Sequence, residues 1–224
     1  MLPFVLAAAV AAPAPHSCYH PGPKDQVVAR ELLDAGDDEH FEAVAIAHKG
    51  DGPLGYSYSR AVVYTPQCGV AFQQDFPEAP RSLFSRISLG GKDMLLLTAF
   101  YPGGSGCGYR HLILKYGDDY PGGSVLPLAP MDLGHSNMGG FFAGDLGGGQ
   151  GSGVAVWTPI WDDGESHYAA HRYQVITYRW TDDRLTGPTV TTSDAKVEAA
   201  PDAAAKALGL PYRDQTGQER FGGC

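Results

Sequence analysis

Short runs rich in Val, Ile, Tyr, Phe and Thr recur along this chain between clusters of Gly, Pro and Asp, and no long helical periodicity interrupts them. That alternation commits the chain to an all-β architecture built of antiparallel strands and tight turns. The runs place strands at Ala43 to His48, Ser59 to Thr65, Val70 to Gln73, Leu83 to Leu89, Met94 to Tyr101, Tyr109 to Tyr116, Phe141 to Leu146, Val154 to Ile160 and His171 to Trp180. One short helix is expected over Pro201 to Leu208, where Pro201-Asp202 gives a start signal and Gly209 a stop. Gly and Pro supply 30 and 17 of the 224 residues, yet 43% of the chain is hydrophobic, so the turns punctuate a folded core. A chain of this length buries about 70% of its unfolded surface without needing staples.

The runs also repeat. Met94 to Asp119 and Val154 to Asp183 share an order of parts: an apolar strand, a polar Gly-rich loop, an aromatic or His beside an Arg, a second strand, and a turn with two Asp. A third copy runs from Val44 to Thr65. The matching arginines are Arg60, Arg110 and Arg172, and a turn precedes each first strand, at Asp34 to Asp38, Leu89 to Asp93 and Asp145 to Gly149. A unit of this size cannot bury both faces of its own sheet, so copies must pack on one another. The expectation is a partial or small β-propeller-like domain, or an irregular sandwich, over residues 18–198, followed by a short helix and tail over 199–224.

The segment Phe141-Phe-Ala-Gly144-Asp145-Leu146-Gly-Gly-Gly-Gln-Gly-Ser-Gly-Val154-Ala-Val156 resembles the FG-GAP or VCBS type of repeat, in which an aromatic precedes Gly-Asp-Leu and a calcium loop follows. The resemblance implies a β-propeller of the kind found in integrin heads and exported bacterial proteins, which usually binds partners rather than catalysing. Where the family loop carries acids or Asn, this copy has Gly147, Gly149 and Gly153, leaving Asp145 alone. One carboxylate does not satisfy Ca²⁺, which takes six to eight oxygens. The first copy keeps Asp34, Asp38 and Glu42, three carboxylates that would converge on Ca²⁺ if the loop folds back; the competing reading is a solvated acidic turn.

Residues 1–17 open with a short apolar core, Phe4 to Ala12, and small residues after it, the pattern of a secretory signal peptide without its usual basic start. The expected location is secreted or periplasmic, with no integral membrane segment later in the chain. Cys18 lacks the aliphatic residue three positions earlier that a lipoprotein signal wants. Cys18, Cys68, Cys107 and Cys224 form an even set without C-x-x-C, which reads as two disulfides. Cys68 follows one strand and Cys107 precedes its counterpart, about 20 Å away at 3.3 Å per residue, which disfavours that pair. Joining Cys18 to Cys224 would force the same pair, so it is excluded too.

Sixteen Lys and Arg against 25 Asp and Glu give a net charge of −9, which repels nucleic acid and attracts a basic protein. Catalytic motifs are weak. Gly103-Gly-Ser105-Gly-Cys107 misses the nucleophile elbow at its last position, and the Gly-rich loops open no helix that would hold a phosphate. The Asp pairs fall in repeated turns. His167 and His171 have a metal-ligand spacing only for a helix, whereas here they enter a strand. The candidate binding set is therefore Ser105, Tyr109, Arg110, His167, Tyr168, His171 and Arg172, on loops around 50–58, 102–109 and 162–171 that equivalent copies would gather on one rim. The expected function is an exported non-catalytic binding protein, an inhibitor or immunity-type partner of a basic exported enzyme, or one with a glycan partner. The alternatives are a glycan-acting hydrolase using Asp162, Asp163 or Glu165, and a structural envelope protein.

Overall fold

A computed structural model describes residues 17–34, 39–50, 58–103, 107–117, 124–128, 133–162 and 164–217. Three antiparallel meanders follow one another in the chain. Sheet A contains β1 (Asp25–Asp34), β2 (His40–His48), β3 (Tyr58–Tyr64) and β4 (Val70–Phe76) in that order. Sheet B contains β5 (Arg81–Leu89), β6 (Lys92–Tyr101) and β7 (Gly108–Gly117), and its fourth position is shared by β8 (Ser124–Pro127) and β9 (Leu133–Ser136), which pair with opposite ends of β7. Sheet C contains β10 (Gly140–Asp145), β11 (Ser152–Ile160), β12 (Arg172–Thr181) and β13 (Arg184–Thr192). A single helix, α1 (Pro201–Ala207), follows. All nine expected strands and the helix are present; β1, β8, β9 and β13 were not foreseen.

The sheets stack face to face in chain order, and the sequence shows which one lies in the middle. Successive residues of β6 enter different cores: Leu95, Leu97 and Ala99 pack against sheet A, while Met94 and Leu96 pack against sheet C. In β7, Leu112 and Leu114 face sheet A and Ile113 faces sheet C. A strand buried on both faces needs an unbroken apolar run, which is why Met94 to Leu97 and Leu112 to Leu114 do not alternate. Strand β1, at the free end of the stack, alternates between half-buried and exposed positions.

The two outer faces of the stack are covered by chain ends. On sheet A, Tyr19 lies over Val44, Ile46 and Val62. The segment carrying it is fixed by the Cys18–Cys68 disulfide and by Glu42, whose carboxylate accepts from the Cys18 N–H at 2.5 Å, the Tyr19 N–H at 3.3 Å and the Ser17 hydroxyl at 2.9 Å. On sheet C, Ala204 and Ala205 of α1 and the half-buried Leu208, Leu210 and Tyr212 pack on Trp157, Tyr173 and Val175. Past the helix, the buried Gln215 carboxamide donates to the Ala143 carbonyl and accepts from its N–H, so a side chain completes the free edge of β10. Capped outer faces suit a stack of three sheets that does not close on itself.

Turn chemistry sets register. Leu89 and Lys92 pair across a two-residue turn, with Gly90 at φ +60° and Gly91 at φ +79°. Positive φ at both positions is the geometry that joins twisted strands most tightly. A Cβ on Gly90 would also lie 2.3 Å from the Trp180 indole of the neighbouring sheet. The first-to-second-strand turns of sheets B and C fall where the repeat placed them, between β5 and β6 and between β10 and β11; the corresponding stretch between β1 and β2, residues 35–38, lies outside the described residues. Most of the expected signal peptide, residues 1–16, lies outside the described residues, and no helix among the described residues is long and apolar enough to cross a membrane.

Candidate functional site

The long connections between second and third strands leave sheets A, B and C at 49–57, 102–107 and 161–171. Their bases lie side by side. Gln74, Asp75, Phe76 and Pro77 of sheet A line a cleft of about 360 Å³ together with Tyr101 and Arg110 of sheet B. Across the next interface the Asn137 N–H donates to the Cys107 carbonyl at 2.9 Å, and the Tyr173 hydroxyl of sheet C donates to the adjacent Met138 carbonyl at 3.0 Å. The three loop bases thus form one continuous rim.

The third loop carries the most chemistry. Glu165 is its organiser: Oε2 accepts from His171 Nδ1 at 2.9 Å and from the Asp162 N–H at 3.3 Å, and Oε1 takes the Lys196 ammonium. Lys196 first, then the Asp162 N–H and His171, hold the Glu165 carboxyl down at about 2 against the opposing effect of desolvation. Asp162 in turn accepts from Arg172 at 3.3 Å and lies 3.4 Å from Lys196. His171 is fully buried, with Nδ1 on the Glu165 carboxylate, and among the described residues its Nε2 has no hydrogen-bond partner. Trp161 packs between histidines, with ring centroids 4.4 Å from His171 and 4.7 Å from His167. In the same loop Tyr168 is 92% exposed and Trp161 42%. A loop tied down by Glu165 thus presents an exposed tyrosine and a partly exposed tryptophan.

The sequence-derived candidates divide in this geometry. His167 and Tyr168 lie in the third loop, His171 at its end and Arg172 opens β12; His171 is fully buried. Tyr109 is also a core residue, only 2% exposed, between Phe100 and the imidazole of His135, and burial, then Asp214, pushes its phenol up to about 12. Its strand position was right; its side chain points into the B–C interface because Arg110 takes the other face. Arg110 is exposed, with its guanidinium 5.2 Å from the Tyr101 ring centroid. Ser105 and Asp163 lie outside the described residues.

Of the calcium candidates, Asp38 lies outside the described residues, and Asp34 stands exposed at the end of β1. Glu42 does not serve a loop cation: besides the N-terminal segment, its Oε1 meets Arg30 Nε at 3.0 Å, so both oxygens are occupied. Among the described residues, no three His, Cys, Asp or Glu side chains are grouped to hold a metal ion.

Two features went unread in the sequence. Lys196, 31 positions after Glu165, becomes its partner only through the β12–β13 hairpin. At the sheet A end of the rim, Asp25 accepts from the Tyr19 hydroxyl at 2.7 Å and from His48 Nδ1 at 2.8 Å, and His48 stacks on Tyr58 at 4.7 Å. Hydrogen bonds from Tyr19, then His48, lower the Asp25 carboxyl from its ordinary value. No protein-family model matches this chain, and no curated protein is significantly similar to it in sequence.

Proposed function

We propose that this chain is an exported, non-catalytic binding protein that docks a basic protein through the rim, with Tyr168 and Trp161 as anchors. The observation that carries this reading is a 92% exposed tyrosine on a loop whose Glu165 is hydrogen-bonded to His171, Lys196 and the Asp162 N–H. Aromatic anchors held in place before binding lose little conformational entropy, and such residues dominate protein interfaces. The charge of −9 favours a cationic partner on approach, and the Cys18–Cys68 disulfide suits an oxidising compartment. Glu165 fits this role better than that of a glycosidase acid. A general acid at neutral pH needs a raised carboxyl, whereas Glu165 is held low and both of its oxygens are engaged.

An inhibitor or immunity-type role against an exported wall hydrolase is the concrete form of this proposal. Biolayer interferometry against a panel of cationic wall hydrolases, including a lysozyme, at low salt tests it. Saturable binding at about micromolar Kd or tighter is expected, with at least a tenfold loss in Tyr168→Ala, a change of about 1.4 kcal/mol. No binding across the panel would remove the inhibitor reading and favour a structural envelope role.

A further inference from the structure

A groove lies on sheet C, on the face that carries the helix. Val175, Thr177 and Arg179 alternate along β12 and so share one face, with Thr191 opposite Val175 and Thr189 opposite Thr177 on β13. They floor a groove of about 250 Å³, walled by Leu208 and Leu210 beyond α1 and by Gln150 in the β10–β11 turn. Across β11 the residue opposite Arg179 is Gly153, where a Cβ would come within 2.3 Å of the Tyr178 carbonyl and 3.3 Å of the Arg179 Cα. Glycine thus leaves no side chain beside Arg179 on that strand.

Of the polar groups lining this groove, the Ser193 hydroxyl is spent within the protein, accepting from the Tyr173 N–H and donating to the Ala195 carbonyl, both at 2.9 Å. Among the described residues, the Arg179 guanidinium, the Gln150 carboxamide and the hydroxyls of Thr177, Thr189 and Thr191 make no hydrogen bond or ion pair with the protein. Arg179 is also the only charged side chain among the described lining residues. The available chemistry is specific. One fixed fork of donors matches a carboxylate bidentately, hydroxyls and an amide match sugar hydroxyls, and the Leu208, Leu210 and Val175 side chains offer an apolar lip to a ring's C–H face. The volume falls below the ~300–1,000 Å³ of drug-sized sites, a size for one ring rather than an extended chain.

We infer that this groove binds a uronic acid unit of an acidic saccharide, with the carboxylate on Arg179 and the ring hydroxyls on Thr177, Thr189 and Thr191. The chain's net charge of −9 opposes unspecific polyanion binding, so selectivity has to come from the groove itself. The groove shares no residue with the rim loop, and failure of either proposal leaves the other standing.

The test is an NMR titration of the full chain with trigalacturonate and, in parallel, with neutral galactotriose. Binding in the millimolar range or tighter is expected for the acidic trimer alone, with shifts concentrated at Thr177, Arg179, Thr189 and Thr191. Arg179→Gln should weaken it at least tenfold and the Thr189→Val, Thr191→Val double variant several-fold, while backbone spectra remain those of the folded protein. If Arg179→Gln fails to fold, the double variant decides alone. Equal binding of galactotriose, no shifts with either trimer, shifts elsewhere on the surface, or full affinity in the folded variants would each overturn the inference.

Discussion

Arg60 and Arg110 occupy the same station in consecutive sheets: each is the third residue of its strand and faces the residue two before the end of the preceding strand, Ile46 in one case and Ala99 in the other. Arg172 opens β12 opposite Ile160, the last residue of β11, so it stands two residues nearer the loop. A displacement of two keeps the side chain on the same face. All three arginines lie on the face turned toward the sheet A end of the stack, since Ala61, Ile113 and Val175 beside or near them serve the opposite face. Their partners differ: Arg60 bonds Asp75 directly across the sheet, Arg110 lies over Tyr101, and Arg172 reaches the loop residue Asp162. The face is shared by all three and the strand position by two, while chemistry diverges.

Acid should loosen the B–C interface. His111 is fully buried, one ring nitrogen on Thr98 Oγ1 and the other on His135 Nδ1, both at 3.0 Å, and burial, then His135, holds it well below its ordinary value. The unfolded chain therefore binds this proton more readily, so stability is full above the unfolded value of about 6.5 and falls as pH drops below it. Denaturant melts should show the midpoint declining from pH 7 to 5, by at most about 1.4 kcal/mol per pH unit for one proton. The His111→Leu, Thr98→Val double variant should flatten that slope; an unchanged slope would assign it elsewhere.

Glu165 loses its contribution in the same direction, at a lower pH. Its carboxyl is depressed to about 2, so the contribution it makes is complete above the unfolded value of about 4.3 and is lost as pH falls toward 2. Order in the 161–171 loop, read from amide exchange at Tyr168 and Ala169, should fade over that window in the wild type. In Glu165→Gln the loop should already be loosened at pH 7 and show no such transition.

The β5–β6 turn separates two effects of adding one methyl. Gly91→Ala meets no neighbour and pays only for its left-handed backbone, about 1 kcal/mol. Gly90→Ala meets that strain and the Trp180 indole as well, and should cost roughly 2–4 kcal/mol. Equal losses in urea melts would mean that Trp180 moves aside freely.

Breaking the Cys18–Cys68 bridge, which spans 50 residues, should lower stability by about 4 kcal/mol on a chain-entropy reckoning. Cys18→Ser, Cys68→Ser should expose Val44, Ile46 and Val62, raising exchange on β2 and β3 while leaving β11 protected.

Much of this architecture was legible because strands buried on one or both faces leave a hydrophobic record: Met94 to Leu97 and Val154 to Trp157 could hardly be anything else. The strands that went unread lack that record. In β1 Val28 and Leu32 stand exposed while Asp25 and Glu31 take half-buried positions, β8 and β9 have four residues each, and β13 carries Gly187-Pro188, a pair tolerated because this strand is an edge. The rim loop was found through its His and Tyr, but burial separated His171 and Tyr109 from the exposed Tyr168, and burial depends on tertiary packing. Glu165 with Lys196 and Asp25 with His48 join residues distant in sequence, and only strand pairing brings them together.

The most direct test of rim docking is hydrogen exchange of the full chain with and without a saturating cationic wall hydrolase. Joint protection of residues 161–171 and of 101–110 is predicted, because the two loop bases adjoin on one rim. Protection at the opposite turns, 89–92 and 145–152, or no protection at all, would contradict it.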